Sequence, residues 1–248
     1  MELYADIGGG ERIHYLESGK GEALIVIPSL GCSSRSYRGL GEALSKYYRV
    51  YVVDIYKGKS IFHENTTSLK DYVTQLHRFV TSLKLKKFYL VGASASGYIA
   101  VQYALCHPAT VKKIALVTSY IVPLNLTHQA WWLWTSYCRL YFHNLFSAVG
   151  IKSDLLWTVD GLENFFRHPG QMINEYRMAM SYTIKAPRRV PVPTIFYFAK
   201  HDEFIPYRLL AEIRKIGNLQ VEVVDEHHTW FFFREGALAT KISSFFVE

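Results

Sequence analysis

A run of small residues, GASASG at positions 92–97, stands between a strand pattern and a helix pattern near the middle of this chain. The residues before it are a short apolar run of β-forming types, and those after it follow an Ala-rich helical spacing. A tight turn of this kind serves one of two chemistries. Glycines let a dinucleotide pyrophosphate approach the helix N-terminus, whereas small residues let a nucleophilic serine stand on a strained turn.

Strand and helix patterns alternate along most of the chain. Strand-like runs occupy residues 11–18, 22–30, 49–54, 88–91, 113–118, 193–199 and 221–224. Helical spacing occupies residues 36–46, 69–83 and 207–216 and resumes at Gly236. Because βαβ units alternate in this way, the sequence predicts an α/β fold whose mostly parallel sheet has helices on both faces.

The position of the turn decides between the two chemistries. In short-chain dehydrogenases a similar TGASSGIG segment follows the first strand, and a YxxxK pair supplies the catalytic acid. Here GASASG follows several strands, and no tyrosine has a lysine four residues further on. A dinucleotide site is therefore disfavoured, and no cofactor is expected.

Two later loops supply the other groups that a nucleophilic serine needs. Asp202 and His228 each follow one of the last two strand patterns. Because the carboxyl ends of parallel strands meet at one edge of a sheet, we expect both side chains to approach Ser94 there. The chain order of serine, acid and histidine is that of a hydrolase triad. Glu203 is a minor alternative acid, and His227 competes with His228 for the role of base.

Together these motifs resemble the α/β-hydrolase superfamily, in its cap-bearing esterase and lipase-like form. VGASASG is similar to the nucleophile elbow GxSxG, and DIYKGKS is similar to the D-x-x-G-x-G-x-S segment shortened by one residue. ERIHYLESGKGEALIVIPSLG resembles the opening hairpin and oxyanion strand, and ALATKISSFFVE resembles the last helix. The resemblance spans nearly the whole chain and implies a catalytic triad of Ser94, Asp202 and His228.

The resemblance also implies an oxyanion hole formed by the backbone NH groups of Leu30 and Ala95. The chain departs from the family pattern at the second elbow glycine, at the HG pair before the oxyanion residue and at the glycine before the histidine, where it has Ser96, Pro28-Ser29 and His227. These departures leave the geometry of the oxyanion hole open.

An aromatic-rich insertion interrupts the alternating pattern. We predict a hydrolase core from residues 1–120 and 193–248, with residues 121–192 forming a helical cap. Its first helical segment carries aromatic side chains that we expect to line an apolar acyl pocket, namely Trp131, Trp134, Tyr137 and Tyr141. Packing of these rings between cap and core is the simpler alternative.

The charge of +7 is unevenly distributed, because residues 72–153 contain no Asp or Glu. A solvated basic face is the simplest interpretation. Contact with a membrane surface or an acidic carrier is the alternative. No RNP-like, zinc-finger or helix-turn-helix pattern accompanies the charge, so nucleic-acid binding is not expected.

A cytoplasmic location is predicted, because no apolar run is long enough to span a bilayer and Glu2 and Asp6 stand where a signal peptide would be basic or apolar. The three cysteines contain no CxxC pair, and no metal site is predicted. The sequence leaves the oligomeric state open.

The function predicted from these features is hydrolysis of a small hydrophobic acyl ester or thioester by a serine nucleophile, through an acyl-enzyme. The related haloalkane dehalogenases and epoxide hydrolases are disfavoured, because they carry aspartate where Ser94 stands. Two alternatives remain: a C–C bond hydrolase with the same triad, and a catalytically silent ligand-binding protein.

Overall fold

The computed structural model describes residues 1–63, 68–123, 129–146, 148–181 and 186–247. Its eight-stranded sheet consists of β1 (Glu2–Gly8), β2 (Glu11–Ser18), β3 (Ala23–Ile27), β4 (Arg49–Val53), β5 (Phe88–Ala93), β6 (Val111–Val117), β7 (Arg189–Ala199) and β8 (Gly217–Val224). The strands lie in the order β1-β2-β4-β3-β5-β6-β7-β8. β1 and β2 form the opening antiparallel hairpin, β2 is antiparallel to β4, and all other neighbours are parallel.

The central strands are apolar because both of their faces are covered. Every residue of β5 is buried, as are the last four of β3, and continuous apolar runs are typical of parallel strands with helices on both sides. β1 was not predicted from the sequence. Its alternating burial, with Ala5 and Ile7 facing inward, is the pattern of an edge strand with one solvent-exposed face.

Five helices belong to the sheet-and-helix core: α1 (Arg38–Leu44), α2 (Leu69–Ser82), α3 (Ser96–Cys106), α7 (Leu210–Ile213) and α8 (Glu235–Val247). α1 packs with α8 on one face of the sheet, and α2 packs with α3 on the other. α2 begins at a capping box, in which Ser68 and Asp71 each accept a hydrogen bond from the other's backbone NH. The predicted α/β fold with helices on both faces is therefore confirmed.

Three further helices, called here the cap helices, lie between β6 and β7: α4 (Gln129–Asn144), α5 (Ala148–Arg167) and α6 (Pro169–Ser181). They fall inside the predicted insertion, although β7 already begins at Arg189, before the expected boundary. The division into core and cap remains a prediction, as does the cytoplasmic location. Within the described residues, no helix combines the length and apolar character needed to cross a membrane.

Candidate active site

Ser94 lies on the turn that joins β5 to α3, where its backbone is left-handed, with φ of 51°. This conformation is strained for a residue with a side chain and is held by neighbouring structure. The Ser94 NH donates to the Val117 carbonyl at 2.9 Å, and the Tyr120 NH donates to the Ser94 carbonyl at 3.1 Å. Gly97 allows the start of α3 to pack closely against Ser119, because a Cβ at position 97 would lie 2.3 Å from Cβ of Ser119.

Ser96, the residue in place of the second elbow glycine, is fully buried and hydrogen-bonded. Its Oγ lies 2.7 Å from the Ile27 carbonyl oxygen and 2.8 Å from the Ala93 carbonyl oxygen, and it accepts from the Ala93 NH at 2.9 Å. The hydroxyl thereby connects the elbow to the end of β3. This departure from the family pattern is accommodated by hydrogen bonds.

The structure brings Ser94, His228 and Asp202 together. Nε2 of His228 lies 3.1 Å from Oγ of Ser94, and its Nδ1 lies 2.9 Å from both carboxylate oxygens of Asp202. Asp202 is oriented by the backbone NH groups of Phe204 and Ile205, each 2.8 Å from Oδ1. In such an arrangement the histidine can take the serine proton while the carboxylate fixes its tautomer.

The neighbouring residues Glu203 and His227 face each other instead. Oε1 of Glu203 lies 2.5 Å from Nδ1 of His227, and Oε2 accepts from the His228 backbone NH at 3.1 Å. The side chain of Glu203 therefore holds the loop that bears His228, whereas that of Asp202 reaches the ring. Sequence reasoning did not foresee this supporting contact, and only the adjacency of two acids and two histidines hinted at it.

Three histidine rings stack beside this loop. His143 of α4 stacks on His227 with ring centroids 3.4 Å apart, and His201 stacks on His227 at 5.5 Å. Within the described ranges, no group of three or more His, Cys, Asp or Glu side chains is arranged to hold a metal ion.

Leu30 lies in the turn after β3, at the same edge of the sheet as Ser94. The Cys32 NH donates to the Ser29 carbonyl at 3.0 Å, and Gly31 has φ of 77°, which defines a turn with glycine at its third position. The Ser29 NH donates to the Tyr37 hydroxyl at 3.1 Å. The end of β3 pairs in register with β5, so Leu30 and Ala95 follow neighbouring strand ends.

Two groups near the site are held in their neutral forms. Burial, reinforced by the Asp160 carboxylate, raises the pKa of the Cys32 thiol to about 12. Burial and the charge of Asp202 together place the pKa of the Tyr120 hydroxyl well above its ordinary value. Cys32 is therefore a thiol rather than a thiolate at neutral pH, and it is a poor nucleophile.

An apolar cavity of about 250 Å³ lies between the turn after β3 and the cap helices. Its lining includes Leu30 and Gly31 from the turn, together with Tyr137, Trp157, Leu162 and Phe165 from α4 and α5. The cavity therefore lies beside Leu30 and offers mostly hydrocarbon and aromatic surface.

The four aromatic residues predicted to bind substrate occupy different places. Tyr137 lines the cavity. Tyr141 stacks on the cavity residue Trp157 with ring centroids 5.3 Å apart. Trp131 and Trp134 stack on each other and are 66% and 59% exposed on the outside of α4. These two tryptophans are therefore not among the residues that line this cavity, and their exposure shows that they are not packed between cap and core.

α5 is clamped to the turn after β3 by a buried carboxylate. Asp160 accepts from the Ser33 NH at 2.8 Å, the Ser33 hydroxyl at 2.6 Å and the Ser36 hydroxyl at 2.6 Å. Asn164, one turn further along α5, donates to the Gly31 carbonyl at 3.0 Å. Sequence reasoning missed this clamp, because its two halves are more than 120 positions apart.

Comparison with known proteins gives a consistent picture. A protein-family model described as alpha/beta hydrolase fold matches residues 22–149. Human Epoxide hydrolase 4 is 28% identical, over 89% of this chain and 71% of its own. The 2-hydroxy-6-oxo-6-phenylhexa-2,4-dienoate hydrolase of Comamonas testosteroni is 29% identical, over 88% of this chain and 85% of its own.

Solved structures show the same fold at lower sequence identity. The 2-hydroxy-6-oxo-6-phenylhexa-2,4-dienoate hydrolase from a Rhodococcus species superposes with a TM-score of 0.79. The two sequences are 16% identical, and the match covers 100% of this chain and 99% of that one. At this identity the likeness concerns the fold alone.

Proposed function

This chain belongs to the family of the α/β hydrolase fold, and on that premise we propose that it is a serine hydrolase that cleaves a hydrophobic carboxylic ester or thioester. The observation that carries the proposal is the contact between Oγ of Ser94 and Nε2 of His228, at 3.1 Å. Its support is the contact of Nδ1 of His228 with Asp202. A hydroxyl, a base and an orienting acid are then in line.

The proposed reaction has two steps. His228 takes the Ser94 proton as Oγ attacks the acyl carbonyl, and the same proton passes to the departing alkoxide or thiolate as the ester bond breaks. Water, deprotonated by His228, then attacks the acyl-enzyme, and the proton returns to Ser94 as the acid product leaves. Asp202 stabilises the imidazolium formed in each step.

The proposed oxyanion hole consists of the Leu30 and Ala95 backbone NH groups. Neither amide donates to another group within the described residues, so both remain available to the oxygen of a tetrahedral intermediate. Such donors act strongly because they are fixed before charge develops. The Ser96 hydroxyl supports the hole by joining the two loops that supply them.

A hydrophobic acyl group is the proposed occupant of the 250 Å³ cavity beside Leu30. Its lining is mostly apolar, and aromatic rings from α4 and α5 form one side. Pockets of this character bind ligands by excluding water from apolar surface. The buried cations that would neutralise a charged acyl chain are missing from the named lining residues.

C–C bond hydrolysis is the second candidate. It is favoured by the Comamonas relative, which is named a dienoate hydrolase and matches most of this chain. Epoxide opening is less favoured despite the human relative, because the elbow residue here is Ser94, whereas the hydrolases that open epoxides use aspartate there.

Labelling with a fluorophosphonate tests the proposal. The wild-type chain should gain the mass of one adduct, and Ser94→Ala should gain none. Ser96→Ala should still be labelled, because Ser96 is buried and the probe is expected to react at Ser94. A panel of p-nitrophenyl esters of increasing acyl length, with a vinylogous 1,5-diketone for the C–C alternative, then identifies the substrate class. A folded wild type that gains no adduct would refute the hydrolase proposal and favour the silent ligand-binding alternative.

A further inference from the structure

The polar and apolar faces of α4 are inverted relative to a surface helix. Its buried face includes Ser136 and Asn144, which are 0% and 2% exposed. Its outward face carries Trp131 and Phe142, which are 66% and 67% exposed, and Phe146 in the turn just after the helix is 77% exposed. Surface helices normally turn their apolar stripe toward the core and their polar face toward water.

α5 is inverted in the same way. Asp154 and Asp160 point inward and are 7% and 3% exposed. The outward face carries apolar side chains spaced by three or four residues, namely Ile151, Leu155, Val159, Leu162 and Phe166. We call this stripe, together with Trp131, Trp134 and Phe142 of α4 and Leu145 and Phe146 of the turn that follows α4, the outer face of the cap helices.

The inward polar groups are satisfied by partners, which shows why they face inward. The Ser136 hydroxyl donates to the Glu203 carbonyl at 2.6 Å. Asn144 donates to Asp154 at 2.7 Å, and Asp160 accepts from the serines of the turn after β3. α4 and α5 therefore attach to the rest of the protein partly through polar contacts, although Leu140 is also buried, and they leave much of their apolar surface uncovered.

The same arrangement removes negative charge from the surface. Residues 121–192 contain seven Lys and Arg but four acids. Asp154, Asp160 and Glu175 are buried. The fourth acid, Glu163, is paired with Arg35 at 3.0 Å and with Arg167 at 2.5 Å. Among the described side chains of α4 and α5, the exposed charges are Arg139 and the Glu163–Arg167 pair, so the net exposed charge of these two helices is positive.

We propose that the outer face of the cap helices binds the surface of an anionic lipid bilayer, from which the enzyme takes an acyl ester substrate. The substrate half of this inference rests on the proposed function. Helices that expose Trp, Phe and Leu beside basic residues lie in the bilayer interface, where the rings enter the acyl region and the cations meet lipid headgroups. Tryptophans such as Trp131 and Trp134 favour that depth.

The apolar cavity gives the bilayer a route to the site. Leu162 and Phe165 line the cavity and are themselves 51% and 39% exposed, so its rim merges with the outer face. Leu30, which bears one of the proposed oxyanion donors, also lines the cavity. An acyl chain leaving the bilayer would pass from the outer face into the cavity without crossing water, which avoids the unfavourable hydration of its methylene groups.

Vesicle sedimentation with the 248-residue Ser94→Ala chain tests binding without turnover. The chain should sediment with vesicles containing about 30% phosphatidylserine in phosphatidylcholine, and at least about tenfold less with phosphatidylcholine alone. Phe142→Glu/Phe146→Glu should reduce binding at least about tenfold, because it places charge on exposed positions of the outer face. Arg139→Glu should reduce binding to the anionic vesicles only.

Leu105→Glu is the matched control, since this residue is 41% exposed on α3, outside the cap helices. It should bind vesicles like the parent chain. Equal binding by the parent and the double variant, or none by the parent, would overturn the inference. A dimer in light scattering that the double variant converts to monomer, without vesicle binding, would assign the outer face to a second copy and also overturn it.

Substrate delivery is tested with active enzyme. Hydrolysis of a long-chain ester embedded in the anionic vesicles should fall at least about tenfold in Phe142→Glu/Phe146→Glu, while hydrolysis of a short, water-soluble ester should stay unchanged. If the wild-type chain binds vesicles but is not labelled by the fluorophosphonate, the hydrolase function alone is refuted. Retained labelling without vesicle binding would refute the membrane inference alone.

Discussion

The Ser96 hydroxyl lies 2.7 Å from the carbonyl oxygen of Ile27, which joins the turn bearing Ser94 to the end of β3. β3 leads directly into the turn that bears the Leu30 amide. One buried side chain thus fixes the two loops that supply the proposed nucleophile and both proposed oxyanion donors. The residue that departs from the family's glycine is therefore part of the support of the site.

Ser96→Ala should destabilise the protein by about 1–3 kcal/mol, because the buried Ile27 carbonyl and Ala93 NH lose their hydroxyl partner. Ser96→Gly, which installs the family's residue, should have a similar effect. Urea unfolding measures the change. Ser244→Ala is the control, because that exposed hydroxyl bonds only within its own helix at 3.1 Å, and a loss equal to that of Ser96→Ala would contradict the prediction.

Leu30→Pro should lower kcat about 100- to 1000-fold by deleting one oxyanion donor. The second position of a β-turn favours proline, so the turn from Ser29 to Cys32 should persist. Leu30→Ala keeps the NH and serves as the control for the lost side chain. Steady-state kinetics on a short ester measures both variants, and equal activity of the two would remove Leu30 from the oxyanion hole.

Asp202→Asn should lower kcat by about 10⁴, because the amide cannot hold the His228 tautomer that accepts the serine proton. Glu203→Gln should lower it by less than about tenfold, since Glu203 bonds the His228 backbone and the neighbouring His227 ring. The two adjacent acids form a matched pair of isosteric substitutions. Comparable losses in both variants would mean that the carboxylates share the orienting role.

Asp160→Ala should destabilise the protein by about 2–4 kcal/mol, because three buried donors from Ser33 and Ser36 lose their acceptor. Glu163→Ala, three residues further along α5, should change stability by less than about 1 kcal/mol, since its ion pairs are solvent-exposed. Urea unfolding at one pH compares them. A larger effect at Glu163 would place the main attachment of α5 in the surface ion pairs.

Glu175 should make stability fall as pH rises. Burial raises the pKa of Glu175 from 4.5 to about 8, although the Tyr72 hydroxyl and the Gln171 amide donate to its carboxyl group. Between these values the native state binds one proton more than the unfolded state, so the free energy of unfolding decreases with pH.

Glu175→Gln removes that titration. Its stability relative to wild type should rise between pH 5 and pH 8 by a few kcal/mol, on the order of 1 kcal/mol for each pH unit. Urea unfolding at both pH values gives the difference. Glu212→Gln, at an exposed position of α7, controls for the change in net charge. A pH-independent difference for Glu175→Gln would contradict the prediction.

Local patterns were enough to locate the elbow and the order of the proposed triad. GASASG stands where a strand rhythm changes to a helical one, and β5 and α3 meet there. Asp202 and His228 follow β7 and β8. Their side chains can meet near Ser94 because neighbouring parallel strands end at the same edge of the sheet. The hydrophobic periodicity of a strand or helix and the residue types of a turn are short-range properties, so the sequence alone determines them.

Only the tertiary structure separated Asp202 from Glu203 and His228 from His227. Adjacent residues of similar chemistry cannot be told apart by their place in the chain, because the direction of each side chain depends on its tertiary contacts. The clamp between Asp160 and Ser33 likewise joins distant positions. Helical spacing predicts which side chains of α4 and α5 share a face but not the direction of that face, because periodicity is the same whether an apolar stripe faces the core or the outside. The partners available to the opposite, polar face decided that these stripes point outward.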